Sequence, residues 1–339
     1  MKNFEMLMPT TLKDAVESLP ESRTNPLNAQ SIRILAGGQD LLPELKDHLA
    51  EPDVVVNVKG VVELGGDFGV PSAERSLFGA GTLEIGALAS VAQVAGNAQI
   101  QAEFGLLSEA AESIATPQIR TQATIGGNLC QRPRCWYYRN ENTVCLKKGG
   151  DECFSYAGLN KYNAILGGGP SYIVHPSDLA TALLCLGAGV ATTQRNIALA
   201  EFFTLPSESD PTRENVLEPN EVIQSVLLDK SRGAAAGWKS TYIKFMERES
   251  FDFAISAVAL MLKFDGDKIA EARICLGGVA PIPWRCESTE KLLVGRTIDD
   301  KLCAEAGEDA LRGAEPLEFN EYKIPLTKSL IAKALRELA

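Results

Sequence analysis

Four of the eight cysteines fall within 24 residues: Cys130, Cys135, Cys145 and Cys153. Directly before them stands Thr124-Ile125-Gly126-Gly127-Asn128, a glycine turn of the kind that lets a ligand approach the backbone closely. Any fold for this chain must therefore carry a thiol-dense loop fused to such a turn. Arg132, Arg134, Arg139, Lys147 and Lys148 are interspersed among the thiols. Cationic neighbours lower a thiol's pKa and offset the negative charge of a thiolate-bound centre. Soft thiolates select zinc or iron–sulfur. Zinc knuckles usually place about two to four residues between paired cysteines. The steps here, 5, 10 and 8, are irregular. Buried, unliganded thiols fit poorly in so polar and basic a stretch, so metal binding is the better reading. Cys185, Cys275, Cys286 and Cys303 are scattered, and the cluster does not reflect a general excess of cysteine.

The rest of the pattern is mixed α and β. Thr11 is a plausible N-cap for a helix containing Ala15, Val16 and Leu19. Residues 31–35 read as a strand, Ala36-Gly37-Gly38 as a turn, 41–46 as a short helix and 53–58 as a buried strand. Further on, 76–80 reads as a strand, Ser90 as a cap, 105–114 as an amphipathic helix and 172–174 as a strand entering a turn. An apolar stretch covers 179–190. Pro206, Ser207, Ser209, Pro211 and Pro219 mark a connecting region. Asp265-Gly266-Asp267, flanked by 254–264 and 268–277, predicts a hairpin. Residues 286–312 and 327–338 read as helices. Phe251 and Phe253 are expected in the core, and His48 and His175 at the surface or in turns.

At 339 residues the chain is long enough for two or three domains. Its net charge of −11 disfavours nucleic acid and anionic membranes. No run of about 18 apolar residues is present, so no transmembrane helix is expected. The N-terminal residues lack the apolar centre of a secretory signal. A reducing, cytoplasmic setting follows as the expectation, or a periplasmic one if a partner carries an export signal. Two histidines and no Gly-x-Ser-x-Gly elbow argue against a histidine-based triad. Neither a dinucleotide fingerprint nor a Walker loop is found. Each glycine turn followed by a helix can receive a diphosphate, though such turns often only connect elements. Asp178 reads equally as a helix cap or as a partner for a ribityl or ribose hydroxyl.

Taken in order, Ala36-Gly37-Gly38-Gln39-Asp40-Leu41, Thr124–Asn128, His175-Pro176-Ser177-Asp178, Glu221-Val222-Ile223 and Tyr242-Ile243-Lys244 resemble one family. It is that of the FAD-binding medium subunits of molybdenum hydroxylases, which include xanthine dehydrogenase-like, carbon monoxide dehydrogenase-like and aldehyde oxidoreductase enzymes. The likeness runs nearly end to end, through Gly277–Pro281 and Lys323–Thr327. It implies an α+β chain with a vanillyl-alcohol-oxidase-like FAD-binding domain in two parts, 1–58 and 59–228. The cysteine loop, 130–171, lies within the second part. A C-terminal domain of antiparallel sheet plus helices, 236–339, completes the chain. By resemblance Leu35, Ala36, Gly37, Gly38, Gln39, Asp40 and Leu41 hold the FAD diphosphate together with Thr124, Ile125, Gly126, Gly127 and Asn128. Ile114, Asp178, Ile223 and Lys244 are further flavin contacts.

Within the family, the loop is similar to that of the periplasmic-type aldehyde oxidoreductases and of 4-hydroxybenzoyl-CoA reductase, whose medium subunit adds a [4Fe–4S] cluster. Cys135, Cys145 and Cys153 match three ligand positions. Where relatives read Gly-Pro-Cys, this chain reads Gly169-Pro170-Ser171. The fourth ligand is then Cys130 or the Ser171 oxygen, a harder and poorer ligand for iron, or the cluster is labile or lost. The resemblance implies an electron-transfer subunit whose partners are a molybdenum-cofactor large subunit and a [2Fe–2S] small subunit, in a heterotrimer or its dimer. FAD here passes electrons to an external acceptor, and no residue acts as acid or base on the organic substrate. The alternatives are a stand-alone flavin oxidoreductase and a zinc-stabilised binding module without flavin.

Overall fold

The computed structural model describes residues 1–23, 29–66, 68–69 and 77–339. The N-terminal unit comprises β1 (Glu5–Leu7), α1 (Leu12–Glu17), β2 (Ile32–Leu35), α2 (Leu41–Lys46) and β3 (Val54–Asn57). The strands form a parallel sheet in the order β1-β3-β2. Thr11 caps α1 by accepting the Asp14 N–H. Leu41 and Leu45 of α2 pack on Val55, and Ala15 and Leu19 pack with Val56. The sheet is thus covered on two sides by short amphipathic helices.

The middle of the chain runs β4 (Phe68–Gly69), β5 (Thr82–Gly86), α3 (Val91–Gly96), α4 (Ala98–Glu103), α5 (Gly105–Glu112), α6 (Pro117–Gln122) and α7 (Ile125–Leu129). The cysteine loop follows. After it come α8 (Asp178–Leu186), β6 (Gly189–Thr192), β7 (Asn196–Ala198), α9 (Leu199–Phe202) and β8 (Ile223–Asp229). The five strands pair antiparallel in the order β4-β5-β8-β6-β7. Of the strand expected over 76–80, Ser76 lies outside the described residues. Gly79–Gly81 form a 3-10 turn, and the strand begins only at Thr82. Residues 172–174 are irregular rather than a strand.

The C-terminal part contains β9 (Trp238–Phe245), β10 (Ser256–Asp265), β11 (Lys268–Gly277), β12 (Trp284–Arg285), α10 (Glu287–Leu293), α11 (Asp300–Ala310) and α12 (Lys323–Leu338). Its sheet is antiparallel in the order β12-β11-β10-β9, and Gly266 supplies the positive φ of the hairpin turn. Strand β10 is buried on both faces. Val258, Leu260 and Leu262 meet a core that includes Ile331 and Leu335 of α12, while Ala257, Ala259 and Met261 face the other way.

Those other-facing residues share a core with the middle of the chain. Leu106, Leu107, Leu183, Val226 and Ala259 belong to one cluster. The joint is α8, buried along its whole length and apolar on every side apart from Asp178 and Thr181, as a helix enclosed by protein must be. It packs against α5 and α7 and against β10 and β11. Its C-terminus ends on Gly187 (φ 63°). Arg273 donates to the Leu184 and Cys185 carbonyls and Arg232 to that of Leu186, so two guanidiniums meet the negative end of the helix. The cysteine loop is moored to the C-terminal part as well. The fully buried Lys323 ammonium donates to the carbonyls of Tyr162 (2.8 Å), Asn163 (3.0 Å) and Gly278 (2.8 Å).

Because α8 belongs to both halves, Leu183→Ala should cost about 2–5 kcal/mol and lower the stability of both together. Urea titrations followed by far-UV circular dichroism and by tryptophan fluorescence should remain coincident, with a lower midpoint.

Candidate cofactor cleft and thiol loop

The two glycine turns touch. A Cβ on Gly37 would lie 2.2 Å from the Gln122 carbonyl oxygen and 3.0 Å from the Ala123 Cα, so only glycine lets the β2–α2 turn abut the end of α6. Gly38 has φ 74°, a left-handed conformation that suits glycine. Gly126 packs less tightly, a Cβ there lying 3.1 Å from the Ala87 Cβ and carbonyl oxygen.

The backbone donors of the two turns differ in a decisive way. In the second, Ile125 N–H donates to Ala89 O, Gly126 N–H to Ala87 O, Gly127 N–H to Thr124 Oγ1 and Asn128 N–H to Thr124 O. Those donors are used up. In the first, the N–H groups of Gly37, Gly38, Gln39 and Asp40 have no partner among the described residues. Successive unpaired N–H groups around a left-handed glycine form an anion-binding concavity. They open on a cavity of about 300 Å³ between the two turns, which Ile223 and Asn128 also line.

Buried charge backs this cavity. Asp40 does not cap α2. Its Oδ1 takes Arg134 Nη1 and Arg139 Nη2, both at 2.7 Å, and its Oδ2 accepts the Arg132 N–H at 2.6 Å. Burial alone would raise its pKa, but the two guanidiniums prevail and hold it below the usual carboxylate range. Glu44, fully buried, accepts the Tyr138 hydroxyl at 2.6 Å and Arg33 Nη2 at 3.0 Å. The Arg132 and Arg139 guanidiniums both lie over the Tyr138 ring, 5.1 and 5.3 Å from its centroid. Glu214 pairs with Arg132 Nε (3.0 Å) and Lys147 Nζ (2.6 Å). Five cations (Arg33, Arg132, Arg134, Arg139, Lys147) thus face three carboxylates in a chain that is acidic overall.

A second cavity of about 410 Å³ lies between the cysteine loop, the start of α8 and the β9–β10 loop. Asp178 forms part of its wall. Ser177, not Asp178, is the helix cap, its Oγ accepting the Ala180 N–H. Asp178 instead accepts the Tyr242 hydroxyl (2.7 Å) and the Lys244 ammonium (2.8 Å), and Lys244 also donates to Ser113 O (3.1 Å). Burial, with Asp178 beside it, pushes the Tyr242 hydroxyl well above its ordinary pKa. His175 is buried against Phe203 rather than exposed, and burial pushes its pKa down to about 3, so it is neutral. Phe251 and Phe253, expected in the core, are 52% and 45% exposed, and Phe253 lines this cavity.

The thiols divide. Cys135 lies near enough to Cys153 and to Cys145 for their charges to interact, and burial raises the thiol pKa of Cys135 and Cys145. Cys130 stands apart. It opens on the first cavity, where burial and the Glu214 carboxylate push its thiol up to about 12. Asn163 Nδ2 approaches Cys135 Sγ at 3.8 Å and donates to Tyr172 O at 3.0 Å, next to the buried Ser171. Among the described residues, no three His, Cys, Asp or Glu side chains converge on a point that a single metal ion would occupy.

Of the residues singled out in the sequence, Ala36 to Leu41, Thr124, Gly126, Gly127, Asn128, Cys130 and Ile223 line the first cavity, and Asp178 and Cys135 the second. Leu35, Ile114 and Ile125 turn into hydrophobic clusters, and Lys244 acts through Asp178. Glu44 and Glu214 were not identified from sequence, and Phe253 was read as core; each meets a partner about 80 or more residues away, which leaves no local signal for that contact. Gly37→Ala should cost about 1–3 kcal/mol by forcing two backbones apart. Gly96→Ala, with open space around its Cβ, should be neutral or slightly stabilising. Thermal melting of the two variants checks the contrast.

Two family models match the chain: a FAD binding domain in molybdopterin dehydrogenase over residues 2–229, and a CO dehydrogenase flavoprotein C-terminal domain over 241–338. The aldehyde oxidoreductase FAD-binding subunit PaoB of Escherichia coli is 34% identical over 323 residues, 92% of this chain and 93% of that protein. The glyceraldehyde dehydrogenase medium chain of Sulfolobus acidocaldarius is 25% identical, covering 95% and 96%. Carbon monoxide dehydrogenase from Hydrogenophaga pseudoflava shares the fold, with a TM-score of 0.73 at 23% identity over 98% of this chain and 96% of that one. Quinoline 2-oxidoreductase from Pseudomonas putida 86 does so at 0.71 and 22%, over 99% and 98%. The α+β architecture expected from the sequence is the one these structures have. Among the described residues no helix is long and apolar enough to cross a membrane. The chain belongs to the FAD-binding medium subunits of the molybdenum hydroxylase family.

Proposed function

We propose that this chain is the electron-transfer subunit of a molybdenum-containing hydroxylase or dehydrogenase acting on aldehydes or N-heterocycles, with FAD held in the cleft between the glycine turns. The observation that carries the reading is the run of four unpaired N–H groups, Gly37 to Asp40, set against a cationic wall. FAD, when bound, supplies the relay chemistry between [2Fe–2S] clusters of a small subunit, fed by a molybdenum centre on a large subunit, and an external acceptor.

This chain's own residues bind and orient. The N–H run receives the diphosphate, and the closed second turn gives a rigid opposing wall. Lys244 and Tyr242 fix the Asp178 carboxylate at the second cavity, where it meets a hydroxyl of the flavin half. Neutral His175 packs behind it and transfers no proton. Substrate acid–base chemistry lies on another subunit.

The thiol loop completes the reading with a [4Fe–4S] cluster on Cys135, Cys145 and Cys153. Ser171, adjoining this group through Asn163 and Tyr172, takes the fourth position in preference to Cys130, which opens on the flavin cleft. The purified chain should show flavin absorption with a broad iron–sulfur shoulder and about four irons, and should co-purify with two partner subunits. Cys130→Ser should leave the iron content unchanged, and Ser171→Cys should slow cluster loss in air. A colourless, zinc-containing protein would overturn the whole reading. Iron loss in Cys130→Ser would overturn the ligand assignment alone.

A further inference from the structure

One residue belongs to the walls of both cavities. Arg134 lines the first together with Gly37 to Asp40, and the second together with Asp178. Its guanidinium lies over the Phe253 ring, 4.8 Å from the centroid. Nη1 contacts Asp40 at 2.7 Å and Nη2 donates to Gln131 Oε1 at 3.3 Å. Its Nε is buried with no hydrogen-bond partner. A buried guanidinium N–H left unpaired is costly, and here it belongs to a side chain that lines both ligand-sized spaces.

We infer that Arg134 binds the diphosphate bridge of the dinucleotide, at the point where the ligand crosses from the adenosine-side cavity to the flavin-side cavity. This rests on the FAD reading above and goes beyond it, because it assigns a flavin contact to the cysteine loop itself, one residue before Cys135. A dinucleotide is two apolar-faced halves joined by an anion, so it calls for two lobes with cationic donors at their junction. Arg134 provides that donor, and its planar fork is the geometry that phosphate oxygens accept in pairs. Stacking on Phe253 keeps the plane fixed across the junction. Engaging a phosphate does not strand Asp40, which keeps Arg139 and the Arg132 N–H.

The test uses the full chain stripped of flavin, with FAD, ADP and adenosine titrated separately by calorimetry. In Arg134→Gln, affinity for FAD and for ADP should fall by about tenfold or more, while adenosine binding stays near wild type and the stripped protein still melts in one cooperative transition, at a lower temperature because the ion pair with Asp40 is lost. Arg134→Lys, which keeps the charge but not the fork, should fall between, and it supplies the same readout if the glutamine variant does not fold. FAD and ADP affinities within twofold of wild type in either folded variant would overturn the inference while leaving the cofactor reading intact. A wild-type chain that binds neither FAD nor ADP would instead overturn the cofactor reading, and the inference with it.

Discussion

The carboxylate of Asp40 holds the site together. It follows directly on the unpaired N–H groups of the first glycine turn, yet it reaches away from its own helix to three residues of the cysteine loop: the Arg132 N–H and the guanidiniums of Arg134 and Arg139. The turn and the loop are therefore one structural piece, although more than 90 residues of chain separate them. A carboxylate this enclosed stays charged only because those partners outweigh its desolvation. The arrangement also explains why so basic a segment can be buried at all. Its charges are matched inward, through Asp40, Glu44 and Glu214, and are not spread over solvent.

A second constraint comes from α8. By packing on α5 and α7 and on β10 and β11, it turns what the sequence punctuates as separate regions into one hydrophobic body. The Asp178 carboxylate at its first turn is consequently anchored to β9 through Tyr242 and Lys244. The second cavity thus has walls from three stretches of chain held at fixed separation. Pre-organisation of that kind lowers the ordering cost of receiving a large, flexible ligand.

What was legible in the sequence follows from the range of the interactions. Local signals survive well: Thr11 and Ser90 cap where they should, the helix over Leu41–Lys46 lies as expected, and Asp265-Gly266 turns the hairpin. The glycine turns were visible as motifs, but their unequal roles were not. Whether an N–H is free depends on Ala87 and Ala89, residues brought in by the tertiary fold. His175, Phe251 and Phe253 fared worst for the same reason. A histidine beside a proline reads as a turn, yet its ring is enclosed by Phe203, while the two phenylalanines face outward where Arg248 and Arg134 stack on them.

The same dependence on distance reframes the cysteine loop. Its arginines read locally as electrostatic support for thiolates, and Lys148 does lie close enough to Cys145 and Cys135 for their charges to interact. The arginines themselves point elsewhere, toward Asp40, Glu44 and Glu214. Chemistry within one loop is thereby segregated. Cys135 lies beside Asn163, while the guanidiniums, with Cys130, gather on the side of the glycine turns. A loop built this way cannot rearrange around its thiols without pulling on Asp40, and with it the N–H run at Gly37 and Gly38.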